Sequence, residues 1–389
     1  MAPSRVFSRN RARPVNQIPR PSSDAASIRP CTAADMPAVA ALFQKSFRSG
    51  RQPAPAGLTS YLRELYLENP DHDPDLTSRV FAGADGTVTG FIGILPTRMT
   101  INGRAIRAAV AGSFMVDRPE ENPLAGARLL RAFFAGPQDL SISESANSVS
   151  QAMWERLGAR VAGHYSMEWL RVLRPAGFAV AMAADRVPAT RFAAPLGRGL
   201  DAIAGRIGLV SLGLDGRGAG GGHAIDADRG AIEGAVTEFA SAYALRPSWS
   251  AEQLAWRLDH ASLKDRHGGQ VRRIVTGRNG SPVGCYLYYG RPGGIAWVLQ
   301  VLANQADFGA VVDDLLNHAM ERGCVAVRGR MCPGLSEALL TRRCLFFHQS
   351  STIYRTTDAE VSAALRSGDA LVTGLAGESW IRLIGHGFR

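Results

Sequence analysis

Between Asn147 and Gly158 the chain reads N-S-V-S-Q-A-M-W-E-R-L-G, which spaces a carboxamide (Asn147), a small hydroxyl (Ser150), an indole (Trp154) and a helix-ending glycine (Gly158) three or four residues apart. Upstream stand two acids, Glu144 and Asp117, each closing a run of strand type. A carboxylate held there could take a proton from an amine whose pKa is near that of lysine, directly or through a water. His164 and Tyr165 follow in a turn. Every one of these residues also has a local reading: Asn147 as the N-cap of the helix that begins at Ser148, the acids as caps or solvated charges, Tyr165 and His164 as parts of a strand end. The five cysteines (Cys31, Cys285, Cys324, Cys332, Cys344) show no C-x-x-C pair and no histidine at ligand spacing, so neither zinc nor structural disulfides are expected. His348 with Cys332 or Cys344 forms no recognisable dyad.

The elements that must position these groups can be read from periodicity. Thr32 with Asp35 opens a helix carrying Met36, Val39, Leu42 and Phe43 at helical spacing. A second helix is expected over 58–67. Strand patterns follow at 79–84, 88–96 and on to Met99, then a hairpin at Asn102-Gly103, a strand over 104–116, a helix over 125–134, a short strand over 140–143, a helix over 148–157 and a last strand within 165–173. After an Ala/Gly-rich stretch the pattern returns: helices over 231–243 and 251–258, strands over 271–276, 283–289 and 295–302, a helix over 308–322, a strand over 325–328, a helix over 336–343 and a strand over 351–355. Setting Cys344 on Gly158 gives an internal offset of 186 residues, a duplication of pattern rather than of identity.

The segment Asn147 to Gly158 resembles the N-x-x-A-x-x-x-Y-x-x-x-G-F stretch of the GCN5-related N-acetyltransferase superfamily. Ile28 to Phe43 (I-R-P-C-T-A-A-D-M-P-A-V-A-A-L-F) is similar to its opening strand and helix, and Ala109 to Pro119 (A-V-A-G-S-F-M-V-D-R-P) to its central cofactor strand. The resemblance implies an α/β fold of two tandem lobes, each a mixed, mostly antiparallel sheet flanked by helices. It implies an acyl-CoA co-substrate, with acetyl-CoA the first choice, and a primary amine as acceptor. Met115 and Val116 match the bulged strand that binds pantetheine through backbone amides. Leu124, Ala125, Gly126, Ala127 and Arg128 fall on the phosphate loop that opens a helix; there Glu121 replaces a basic or amide residue, Leu124 replaces a glycine, and Gly126 alone fits. Asn147 and Ser150 are expected to contact the cofactor arm, and Glu144 to serve as base, with Asp117 as the second choice. The superfamily's acid tyrosine falls on Trp154, and Tyr165 is the residue that could stand in. Gln305 to Gly309 takes the phosphate-loop position of the second lobe without glycine spacing or a basic residue, so that lobe reads as degenerate. Trp249, Trp256 and Arg257 could bind a sugar or acyl chain there, or be aromatic core.

The expected organisation is a disordered basic tail over 1–27, an acyl-CoA-binding lobe over 28–174, an Ala/Gly-rich linker over 175–225 with an apolar segment at Leu200 to Leu212 that could form a helix and a glycine run at Gly216 to Gly222, and a degenerate lobe over 226–389. In plan alone this is similar to the protein N-myristoyltransferases and the Fem-type peptidoglycan aminoacyltransferases, which tilts the acceptor towards an amino sugar, an envelope intermediate or a peptide amine. The net charge is +10, yet Lys45 and Lys264 are the only lysines and arginine is spread along the chain. No basic stripe interleaved with aromatics suggests nucleic acid. No apolar run has the roughly 18 residues of a membrane span, so a cytoplasmic protein is expected. The rival readings are a non-catalytic binding or scaffold module, and a transferase whose donor is an aminoacyl-tRNA.

Overall fold

The computed structural model describes residues 27–48, 52–83, 85–186, 223–383 and 387–388. Residues 1–26 of the basic tail, the apolar segment Leu200 to Leu212 and the glycine run Gly216 to Gly222 lie outside the described residues. No described helix is long and apolar enough to cross a membrane.

Strand β1 (Ser27–Pro30) leads into a helical turn and then α1 (Met36–Phe47). The start is fixed by the Thr32/Asp35 pair: the Asp35 carboxylate accepts from the Thr32 amide and hydroxyl, both at 2.8 Å, and is gripped by Arg29 at 2.6 Å. These charge-assisted bonds hold the Asp35 carboxyl down at about 2. Met36, Val39, Leu42 and Phe43 are buried on one face, and α2 (Ala56–Leu67) packs beside it. Then come β2 (Arg79–Ala82), a long β3 (Val88–Ile101) and β4 (Arg104–Val116). Asn102 (φ 50°) and Gly103 (φ 84°) make the β3–β4 turn with both residues left-handed, the backbone that twisted two-residue hairpins require. α3 (Ala125–Phe134), β5 (Leu140–Ala146) and α4 (Ser148–Arg156) follow, then the short β6 (Arg160–Val161), β7 (Met167–Val172) and α5 (Pro175–Arg186).

The second half repeats this grammar. After β8 (Ala224–Asp226) come α6 (Arg229–Ala240), β9 (Leu245–Pro247), α7 (Ala251–Ser262), β10 (Gly269–Thr276), β11 (Pro282–Gly290), β12 (Ile295–Ala303), α8 (Phe308–Glu321), β13 (Ala326–Arg330), α9 (Ser336–Leu340), β14 (Leu345–His348), β15 (Ser351–Thr356) and α10 (Ala359–Ser367).

The two sheets exchange strands. The first runs β1-β2-β3-β4-β5-β15-β6 with β9 beside β3; the second runs β14-β7-β13-β12-β11-β10-β8. Both are antiparallel except at one central step, β4 with β5 in the first and β12 with β13 in the second. Beyond that step each sheet is continued by a strand from the other half: β15 pairs with β5, and β7 pairs with β13. The strand read as the last of the first half therefore sits in the second sheet, where Glu168 lies opposite Arg330 and its carboxylate grips Arg328 at 2.5 Å. One continuous apolar core, built from α1, α2, α6, α7, α10 and the sheet faces they cover, runs through both halves; α3 with α4, and α8 with α9, cover two further clusters.

Candidate active site between the sheets

β4 and β5 pair only from Ala108–Val110 against Leu140–Ile142 and then diverge. The divergence is enforced from the β3 side. Phe91 pairs with Met115 but Gly93 with Gly112, so Ser113 and Phe114 together face Ile92 and the strand bulges. Ser113 has a φ of 51°, a conformation that costs a side-chain-bearing residue about 1–3 kcal/mol unless its surroundings impose it. They do. The Tyr66 hydroxyl on α2 donates to Ser113 Oγ at 2.8 Å, and the Tyr66 ring lies so close over Gly93 that a Cβ there would meet it at 2.4 Å.

The wedge opens into a cavity of about 520 Å3 reaching from the bulge, Ser145, Asn147 and Ser150 across to Trp297, Lys264 and Glu378. Its far wall includes a strap, residues 369–383, that returns after α10 from the second half to the first. Leu245 and Leu371 bond the two backbones together, and Leu375 donates to the Gln300 side chain. The Trp380 ring is fully buried edge-on to Trp256 at 5.3 Å, under the Arg257 guanidinium, which also bonds Asp71 at 2.5 Å. Trp256, Trp249 and Arg257 thus pack the strap and the core around it.

Glu144, two residues before the end of β5, is 1% exposed and does not line the cavity. Its carboxylate accepts four hydrogen bonds from the strap, from the amides of Gly374, Glu378 and Ser379 and from the Ser379 hydroxyl. Tyr165, also fully buried, ties the same strap by donating to the Ala370 carbonyl at 2.9 Å and accepting from its amide at 3.1 Å. Two carboxyls border the cavity: Glu168, which is ion-paired with Arg328, and Glu378. Oε1 of Glu378 accepts from the Ser145 amide at 3.0 Å and hydroxyl at 2.6 Å, and its Oε2 lies 3.0 Å from where a Cβ on Gly112 would stand. Burial pushes the Glu378 carboxyl up to about 7; the Ser145 bonds pull against this and the neighbouring Glu144 charge adds to it. Lys264, just after α7, donates to the Ser379 carbonyl. Burial brings its amine down to about 8, with the Glu144 charge opposing and Arg266 reinforcing.

Asn147 caps α4, its Oδ1 accepting from the Ser150 amide at 2.9 Å, and both residues border the cavity. Trp154 is buried against Phe133 and Phe134 beneath them. Met115 is buried and Val116 half-buried one step past the bulge, which falls on Ser113 and Phe114. At the start of α3, Leu124 is 69% exposed while Ala125 and Gly126 are buried, Gly126 against Met153 and Phe114. Ala127 is half-buried, and Arg128 lies over the Phe81 ring at 5.2 Å. Glu121 is ion-paired with Arg118 at 2.7 Å, so its charge is already matched beside this helix start. Asp117 pairs with Lys45 on the surface, and His164 is exposed. Sequence reasoning missed Tyr66, Ser113, Lys264 and Glu378, which come from four separate regions that only the fold brings together.

No family model matches the chain, and no curated protein matches it. Solved structures do. A conserved protein from Enterococcus faecalis described as a probable N-acyltransferase superposes with a TM-score of 0.55 at 12% identity, covering 85% of this chain and 72% of that one. GCN5-related N-acetyltransferases from Kribbella flavida (TM-score 0.52, 14% identity, 86% and 71% covered) and Anabaena variabilis (0.55, 10%, 86% and 73%) match comparably. With its paired mixed sheets and flanking helices, the chain has the two-lobed fold of the GCN5-related N-acetyltransferases.

Proposed function

We propose that this protein is an acyl-CoA-dependent N-acyltransferase, with acetyl-CoA its first-choice donor, and that transfer to a primary amine takes place in the cavity between the sheets. The observation that carries the reading is the Glu378 carboxyl, held by Ser145 against the strand bulge and poised near neutrality. An amine entering the cavity gives its proton to Glu378 as its nitrogen attacks the thioester carbonyl, and the strand amides at Ser113 and Phe114 receive the developing oxyanion. The wedge between β4 and β5 takes the pantetheine arm, with Asn147 and Ser150 along it. The start of α3, from Leu124 to Arg128, offers its first-turn amides to phosphate. A thiol pKa of about 8.5 lets the thiolate leave without strong acid help, so Trp154 in place of a tyrosine is compatible with turnover. The acceptor fits the amino-sugar, envelope-intermediate or peptide-amine class, since the cavity extends past the donor wedge to Trp297 and Arg266.

Calorimetric titration with acetyl-CoA and with a longer-chain acyl-CoA tests the donor. Saturable binding is expected, weakened about tenfold in Leu124→Glu, which sets a carboxylate at an exposed site where phosphate would lie, at a cost of about 1.4 kcal/mol. Absence of binding by both donors sinks the reading and leaves the non-catalytic binding module and the aminoacyl-tRNA-dependent transferase.

A further inference from the structure

Lys264 and Lys45 are the only lysines in the chain, and they are placed very differently. Lys45 lies outside the cavity on α1, paired with Asp117. Lys264 lines the cavity, its amine 5.7 Å from the centre of the Tyr289 ring and bonded to the carbonyl of Ser379, the residue after Glu378. No carboxylate of the described residues is within ion-pairing distance of it. An amine at the wall of a transfer cavity, bonded to the same strap that carries the group proposed as base, has the same chemistry as an incoming acceptor.

We propose that Lys264 is itself an acyl acceptor: with the donor bound and no amine substrate present, the protein acylates its own Lys264. The proposal rests on the acyl-CoA reading above. The neutral Nζ attacks the thioester carbonyl carbon, a C–N bond forms, the C–S bond breaks, and the thiolate departs as CoA. The proton released from nitrogen passes to the Glu378 carboxylate and from there to the leaving thiolate or solvent. The products are an amide on Lys264 and free CoA thiol, and no oxidant or other reactant is needed. The amine must first be uncharged, and its surroundings favour that form: burial lowers its pKa, Arg266 pushes the same way and Glu144 opposes. Acylated Lys264 would carry no charge and would fill cavity space that an acceptor needs, making the modification a brake on turnover when acceptor is scarce.

The test incubates the full chain with acetyl-CoA alone and follows intact mass, with peptide mapping of the parent protein to locate the label. One acetyl group per chain on the Lys264 peptide is expected, unchanged in Lys45→Arg, absent from that site in Lys264→Arg, and formed at least about tenfold more slowly in Glu378→Gln. Mapping in the parent keeps the result independent of whether Lys264→Arg folds. Saturable CoA binding measured in parallel without label on Lys264 overturns self-acylation and leaves the donor reading standing. Equal labelling of Lys45, or labelling indifferent to Glu378→Gln, overturns it too, because a random chemical reaction would do the same. Failure to bind CoA overturns the donor reading and this proposal together.

Discussion

Glu144 and Glu378 lie side by side, yet their surroundings bond them very differently. Glu144 is saturated by donors from the strap, whereas Glu378 has one oxygen held by Ser145 and a carboxyl raised to about 7. Glu378→Gln is expected to cut acyl transfer by about 10²–10⁴-fold with donor affinity unchanged, read from steady-state rates beside calorimetry. In the parent, kcat/KM should climb with pH and level off above about 7, where the carboxyl is ionised; a flat profile through that range would remove Glu378 as the base. The same shift has a stability consequence. A carboxyl whose folded pKa of about 7 exceeds its ordinary 4.5 favours the folded state when protonated, and that contribution is lost as pH rises from the lower value through the upper. Glu378→Gln should therefore become progressively more urea-resistant than the parent between about pH 4 and pH 8. Glu144→Gln should behave in the opposite way, losing about 1.5–3 kcal/mol at neutral pH as charged hydrogen bonds are replaced by weaker ones. Asn147 was legible in the sequence because a cap obeys local spacing. Glu378 was not, since the strap forms neither helix nor strand and follows no period; its place is set by Glu144, Gln300 and Tyr165, far away in the chain.

At the scale of elements, the geometry of the proposed site depends on how α2 presses on β3. Tyr66 occupies the space over Gly93 and reaches Ser113 in the bulge. Gly93→Ala should force the ring away, cost about 1–3 kcal/mol by overpacking and release Ser113 from its left-handed conformation, so that donor affinity falls along with stability. Loss of stability with affinity intact would show that the bulge holds itself. The helices, the Thr32/Asp35 start and the Asn102-Gly103 turn were readable because capping, turn chemistry and amphipathic period are local properties. The bulge could be expected in β4 but not located: apolar alternation does not reveal which residue loses its partner, and Met115, expected there, is the first residue to pair again.

Across the whole molecule, exchange of β7 and β15 makes the two sheets interdependent. Strand patterns carry no address, so sequence could propose a strand near Tyr165 but not that it would join β13, a choice reinforced by the Glu168–Arg328 pair. Fragments 27–186 and 223–389 are expected to remain unfolded when made separately and to regain structure and donor binding when combined, by circular dichroism and calorimetry. Independent folding of either fragment would mean that the exchange contributes little.

The same exchange imposes an order in time during synthesis. A ribosome releases the chain from its beginning, so β5 emerges long before the partner it needs, β15, roughly two hundred residues later at about 5–20 residues per second. For tens of seconds the nascent first sheet has an open edge beside β5, a row of unpaired backbone groups. Since Glu378 arrives later still, every intermediate length of nascent chain lacks the carboxyl on which transfer is proposed to depend, and the cavity becomes competent only after its last wall is laid down.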